Sequence, residues 1–329
     1  MGKGASSVIG ASAVAIVLLL VLSVGAVATA LIARPTLDQW PHMSARRGAD
    51  GLSVRFIGTS GFIIRDGDVT LVLDGFISRP PLETVMFGDL VPGRAQLQQV
   101  MERTDTDTIR AVMVAHSHYD HAMDAASWVK MAGGKVMGTA STVAIARAEG
   151  VYAVDEVGPF DQRRIGPFAL TVFGLDHAAK ERMAGVIDED FTVPAHARSY
   201  RSGGGLGVYI QHPACRILWV PSAGRPHVDL SDYPADVVLL SVGQLGLKDA
   251  AHIRRYWQQT VVASGARRVI PIHWDDFTRP LDQPLKALPY AVERVDVSLR
   301  EIMILAGDEI TVALPVLYEP LDLSASGRC

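Results

Sequence analysis

Ile109-Arg-Ala-Val-Met-Val-Ala-His116-Ser-His118-Tyr-Asp120-His121 is the stretch on which the reading of this chain turns. An apolar, strand-like run leads straight into three histidines and one aspartate within six residues. Imidazole and carboxylate are the donors that borderline divalent metals such as Zn²⁺ take. Histidines two apart project to one side of extended backbone, and the turn that follows can bring Asp120 and His121 to a second position alongside. The plain alternative is a polar loop that happens to be rich in histidine. With 10 His in 329 residues, so tight a cluster directly behind an apolar strand favours the metal reading.

In this run the sequence resembles the metallo-β-lactamase superfamily of hydrolases, whose signature is His-x-His-x-Asp-His at a strand's end. The resemblance covers, in order, most of the chain after about residue 52. Asp74, at the end of the strand-like run Val69 to Leu73, matches the family's first motif, an aspartate that supports the metal loop. His177 in Phe173-Gly-Leu-Asp-His177 and His273 in Val269-Ile-Pro-Ile-His273-Trp-Asp match two later motifs, each just past a strand. The resemblance implies an α/β fold, a four-layer αββα sandwich with metals held at one edge of two sheets. It implies His116, His118 and His177 as the principal metal site, with Asp120, His121 and His273 completing a second. The runs His116-Ser-His-Tyr-Asp-His121 and His273-Trp-Asp-Asp-Phe277 look closest to a lactonase-like and N-acyl-phosphatidylethanolamine phospholipase D-like branch. One motif departs. Where the family has an aspartate that bridges both metals, this chain has Ser222, in Leu218-Trp-Val-Pro-Ser222-Ala-Gly224. A neutral serine is a poor ligand, so either the site holds one metal firmly or Asp120, His121 and His273 hold a weaker second one, with Asp176 or Asp275 as substitute carboxylates.

The chemistry expected of such a site is hydrolysis. Zn²⁺ lowers the pKa of bound water towards about 7 and polarises a carbonyl or phosphoryl oxygen. Asp120 is the candidate catalytic group, orienting or deprotonating the attacking water. An ester-type bond is the target, and a lipid phosphodiester or a lactone suits best. The alternative from another class is a catalytically weak metal-binding or sensory protein on the same fold, for which only the departure at Ser222 speaks. His196, in the irregular stretch 178–205 that reads as a lid, and His227, just after the departed motif, are candidate substrate-side groups. His42, His212 and His252 read as ordinary surface histidines. There is no Gly-x-Ser-x-Gly elbow, and neither cysteine has a nucleophile's setting.

Composition bounds the rest. A chain that is 49% hydrophobic and 20% charged is not disordered. A net charge of −4 without a basic block gives no footprint for nucleic acid. Cys215 and Cys329 cannot make a disulfide framework and offer no pair that would prove export. From Val8 to Ala33 no residue is charged, a length that would span a bilayer core of about 30 Å. Residues 1–33 therefore read as a membrane anchor, with a cleaved signal as the alternative because Ala26-Val-Ala28 and Ala28-Thr-Ala30 resemble cleavage sites. Residues 34–51 read as a linker and 52–329 as the hydrolase domain. The short basic tail before the apolar span predicts a single-pass protein with its domain on the extracytoplasmic, periplasmic side. Within the domain, strands are expected at Val54–Ile57, Gly61–Ile64, Val69–Leu73, Ile109–Ala115, Lys135–Met137, Phe168–Phe173, Leu206–Gln211, Arg216–Val220, Val237–Leu240, Arg268–Ile272, Glu301–Leu305 and Glu309–Leu314. Helices are expected at Arg94–Arg103, Ala122–Met131, Thr142–Glu149 and Asp249–Val262.

Overall fold

Alternation along the early strands sorts their side chains onto two faces. In β2 (Gly61–Asp66) and β3 (Val69–Leu73), Phe62, Ile64, Leu71 and Leu73 enter one apolar cluster, while Ile63 and Val72 enter another. β5 (Ala111–Met113) repeats this, with Ala111 and Met113 on the first side and Val112 on the second. These strands lie in a six-stranded sheet of order β1-β2-β3-β5-β6-β7, with β1 at Ser53–Gly58, β6 at Lys135–Gly138 and β7 at Val154–Glu156. The structure is a computed structural model, and it describes residues 16–26, 29, 32–43, 51–178, 183–323 and 329.

A second, seven-stranded sheet has the order β15-β14-β13-β12-β11-β9-β8. Its members are β8 (Gln162–Ile165), β9 (Phe168–Leu175), β11 (Gly205–Gln211), β12 (Arg216–Val220), β13 (Val237–Ser241), β14 (Arg268–Ile272) and β15 (Thr311–Val312). Phe56 and Leu73 of the first sheet share a cluster with Phe173, Val208 and Leu218 of the second, so the inner faces meet. Helices Arg94–Arg103, Ala125–Ala132 and Ala140–Ala148 cover the outer face of the first sheet through Leu97, Val100, Trp128 and Ile145. Helices Ala250–Trp257 and Val295–Ala306 connect the parallel strands β13, β14 and β15 and add Ile253, Trp257, Leu299 and Ile302 to the core. The layers run helix, sheet, sheet, helix. A two-stranded pair, β4 (Asp89–Leu90) with β10 (Ala195–His196), brings the expected lid segment against the first half.

The expected strand at Glu301–Leu305 is corrected: it forms the last turns of helix Val295–Ala306. Val295, Leu299, Ile302 and Ala306 recur at helical spacing and are buried, while Ile304 is 67% exposed. A five-residue apolar run carries no period of its own, and only the longer window reveals the helix. The strand expected at Glu309–Leu314 shrinks to β15. The helix at Ala250–Trp257 starts where Asp249 caps it, its carboxylate accepting the His252 N–H at 2.7 Å, and it continues into a π-helical turn at Gln258–Val262.

The expected membrane anchor falls only partly on described residues. Among the described residues no helix is long and apolar enough to cross a membrane. Residues 16–26 are helical with exposed aliphatic side chains. The rest of that expectation, 1–15, 27–28 and 30–31, lies outside the described residues. Of the segment expected as a linker, residues 34–43 lie against the domain. Ala33 O accepts the Tyr290 N–H at 2.9 Å, Met43 N donates to Leu314 O at 2.9 Å, and Leu37 is buried; residues 44–50 lie outside the described residues. The two cysteines, expected to offer no pair, are bonded to each other, joining the turn before β12 to residue 329.

Trp219, in the middle of β12, is wholly buried, and its Nε1–H donates to Ser60 O at 3.1 Å in the turn between β1 and β2. It thereby ties the two sheets together next to the histidine cluster. Trp219→Ala should destabilise the domain by about 3–5 kcal/mol. Trp219→Phe, which keeps most of the packing but strands the Ser60 carbonyl, should cost about 1–3 kcal/mol. Equilibrium urea unfolding measures both, and a Trp219→Phe variant as stable as wild type would show the hydrogen bond to be without weight.

Candidate metal centre

Asp74 immediately follows β3 and stands in the left-handed region at φ +52°. For a non-glycine residue that costs about 1–3 kcal/mol and persists only when the surroundings hold it. Here they do. Asp74 N donates to Met113 O at 2.7 Å, and Oδ1 accepts the Ala115 N–H at 2.8 Å, which fixes the chain as it leaves β5 for His116. Oδ2 accepts from the Ser60 hydroxyl and from His121 Nδ1, the latter at 2.6 Å. A proton on Nδ1 of His121 leaves its Nε2 lone pair free to face outward. His118 caps the short helix Tyr119–Ala122, with its carbonyl accepting the His121 N–H at 3.0 Å, and this turn sends Asp120 and His121 back beside His116.

Two groups of three donors result, the donor atoms within each lying within 4.8 Å of one another: His116, His118, His177, and Asp120, His121, His273. In the first, His116 Nε2 stands 3.0 Å from His118 Nδ1, and the His177 ring centroid lies 5.2 and 5.0 Å from those of His116 and His118. In the second, His273 Nε2 is 3.3 Å from His121 Nε2 and 3.4 Å from Asp120 Oδ2. The rings of His116 and His121 are 3.9 Å apart at their centroids, so the groups are neighbours. Burial, followed by the surrounding histidines, pushes the His116 pKa well below its ordinary value, so this imidazole is neutral near pH 7. Burial alone would raise the Asp120 carboxyl, but His121, His273 and His118 hold it well below the usual carboxylate range. Burial likewise opposes a charge on His121, yet Asp74 and Asp120 carry its pKa above the ordinary value. A divalent ion at Nε2 would take the place of that proton. Facing ring nitrogens 3.0–3.3 Å apart beside an ionised carboxylate form a donor set that fits a divalent metal with a taste for nitrogen and oxygen.

The remaining expected residues are placed as follows. Ser222 is buried just past β12 and belongs to neither donor group. Asp176 accepts from His227 Nε2 at 2.6 Å, beside a cavity of about 390 Å³ that His227, Arg225 and Gln259 help to line. Asp275 is wholly buried, accepting from Thr59 N at 2.8 Å and Arg79 Nη1 at 2.7 Å. Neither carboxylate joins the donor groups, so each is spent elsewhere. His196 Nε2 meets Met86 O at 3.2 Å and its Nδ1 accepts the Arg198 N–H, which ties the lid segment to the exposed helix Leu82–Phe87. Arg79 and Thr59 escaped the sequence reading. A lone arginine before two prolines carries no signal, and only the fold brings it under His273.

Residues 86–274 match a family model described as a beta-lactamase superfamily domain. No curated protein matches the sequence. Among solved structures, the fold is similar to that of Igni18, a metallo hydrolase from the hyperthermophilic archaeon Ignicoccus hospitalis KIN4/I, at TM-score 0.50 and 13% identity over 82% of this chain and 96% of that one. It is similar to an isothiocyanate hydrolase from Delia radicum gut bacteria, at TM-score 0.50 and 14% identity over 82% and 98%. It is also similar to CmlA, a diiron β-hydroxylase from Streptomyces venezuelae, at TM-score 0.50 and 13% identity over 83% of this chain and 54% of that one. At such identities the likeness is one of fold. It does show that the fold accommodates different chemistries.

The depressed pKa of His116 has a consequence for stability. The unfolded chain takes up a proton near pH 6.5 and the folded chain does not, so the contribution is complete above about pH 6.5 and is lost as the pH falls below it, by up to about 1.4 kcal/mol per unit. For chelator-treated protein, the difference in unfolding free energy between wild type and His116→Asn should move against the wild type between pH 7.5 and 5.5. Urea titrations at the two pH values measure it, and a constant difference would refute a neutral His116.

Proposed function

The chain belongs to the beta-lactamase superfamily as a metal-dependent hydrolase, and on that premise we propose zinc as its metal and an ester-type bond, in a lipid phosphodiester or a lactone, as its target. The observation that carries the proposal is the convergence of six donors from three separate segments, 116–121, 177 and 273, into two adjacent groups. His116, His118 and His177 would hold the principal ion, and Asp120, His121 and His273 a second. The principal ion is the firmer one, because Ser222 brings no bridging charge to the second. A bound divalent ion supplies Lewis acidity toward a carbonyl or phosphoryl oxygen and an ionised nucleophile near neutral pH.

The protein's own residues supply the rest. Asp120, kept ionised by the histidines around it, can orient the attacking water and accept its proton. Asp74 keeps Nδ1 of His121 occupied and its Nε2 turned to the site. Phe277, whose ring stands 5.8 Å from His273 and 6.3 Å from Tyr119, gives the site an apolar wall. Two features favour a lipid. Helix Leu82–Phe87 has no buried residue and exposes Met86 and Phe87. The apolar N-terminal segment also joins the domain close by: Arg34 pairs with Asp276 at 2.8 Å, three residues from His273. His196, on the lid segment, and His227 would contact substrate groups outside the ions. The Cys215–Cys329 bond favours an oxidising compartment and so the extracytoplasmic side of a membrane, with residues 1–33 as the anchor. Nucleic acid is not expected as a partner.

Chelation should abolish turnover on a panel of phosphodiester, lactone and thioester substrates, and Zn²⁺ should restore it. Asp120→Asn should lower kcat by about 10²–10⁴, while His116→Ala should release most of the bound zinc on elemental analysis. Full turnover by a stably metal-free protein would overturn the proposal. For the compartment, alkaline phosphatase fused after Cys329 should be active; a fluorescent-protein fusion that glows in its place would reverse the orientation.

A further inference from the structure

Beneath His273 lies a buried ion pair that the proposed chemistry does not use. Arg79 Nη1 donates to Asp275 Oδ2 at 2.7 Å, with both side chains shut off from solvent. Asp275 Oδ1 accepts the Thr59 N–H at 2.8 Å, and Thr59 O accepts the His273 N–H at 2.6 Å. A closed path thus runs from Arg79 through Asp275 and Thr59 to the backbone of His273. Three residues on it stand in the left-handed region: Arg79 at φ +49°, Thr59 at +54° and His273 at +61°. None is glycine, so each needs something to hold it there.

Two glycines clear the space. A Cβ at Gly58 would lie 2.0 Å from Arg79 Nη2, and a Cβ at Gly243 would lie 2.9 Å from His273 Nδ1. Arg79 Nε and Nη2 are buried without a hydrogen-bond partner among the described residues. A buried pair with donors left over is a poor source of net stability. What it supplies is a fixed place for Asp275, and hence for the turn that aims His273.

We propose that the Arg79–Asp275 pair positions His273 for the second metal ion, holding its Nε2 beside Asp120 and His121 through Thr59. Arg79 and Asp275 are positioning residues that touch neither ion nor substrate. This rests on the assignment of Asp120, His121 and His273 to a second ion.

Titration of metal-free, full-length protein with Co²⁺, followed by absorption spectroscopy and elemental analysis, separates the two ions. Wild type should take up two, the second more weakly. Arg79→Met combined with Asp275→Asn removes both charges together, avoids a lone buried ion and leaves a carbonyl oxygen for the Thr59 N–H. This double variant should bind the first ion within about threefold of wild type, which also shows it to be folded, and the second about 10–100-fold more weakly. Arg79→Lys keeps a cation for Asp275, and with it the fold, but its shorter, unbranched stem does not bring the charge to the place of Nη1; it should weaken only the second ion, by about threefold or more. A second-ion affinity unchanged in these variants, or an equal loss at both ions, overturns the positioning role. Uptake of a single ion by wild type overturns the second-ion assignment itself, and is read before any variant is made.

Discussion

One carboxylate holds the site and the first sheet in a common frame. Asp74 ends β3, accepts the Ala115 N–H at the exit of β5 and binds Nδ1 of His121. The Ser60 hydroxyl, from the turn between β1 and β2, meets the same oxygen as His121. Two chain segments, the turn at Ser60 and the stretch 115–121, are thus set by a single buried side chain. Its solvent is gone, so its hydrogen bonds gain in strength and its loss would strand several donors together. The three neighbouring histidines inherit their directions from that arrangement, because the backbone of the 115–121 turn has little freedom once both ends are tied.

The second sheet contributes at two points only, and both are strand ends. His177 follows β9 and His273 follows β14. Between them, β12 ends two residues before Ser222, an uncharged residue that belongs to neither donor group. With serine there, the negative charge in the donor groups comes from Asp120 alone. This makes the two groups electrostatically unequal, three neutral-type donors against two and a carboxylate. The carboxylates at Asp176 and Asp275 do not redress it, since one is engaged by His227 and the other by Arg79 and Thr59.

Much of this was legible beforehand because strand ends and ligands coincide. Short apolar runs located β1, β2, β3, β12 and β14 almost residue for residue. The six donors follow the ends of β5, β9 and β14. Helix Val295–Ala306 was misread at its C-terminal half because Ile302-Met-Ile-Leu305 is uniformly apolar, which conceals the 3.6 period. Arg79, Thr59 and the Cys215–Cys329 bond were invisible for a different reason. Each depends on a meeting across 100 or more residues, or on a left-handed backbone at an ordinary residue, and neither leaves a local pattern.

The contact between Arg34 and Asp276 bears on how the chain can be handled and loaded. Arg34 Nη1 also reaches Ala287 O, and Ala33 O receives Tyr290 N–H, so the entering segment is stitched to the loop that carries His273. A domain boundary drawn at residue 52, as hydropathy alone suggests, would cut away that stitching together with the burial of Leu37 and Met43. Tension on the N-terminus, from a tether or an immobilising tag, would arrive at the 273–276 loop before it reached either sheet. The entering segment is in mechanical terms a bowstring fixed at the metal edge.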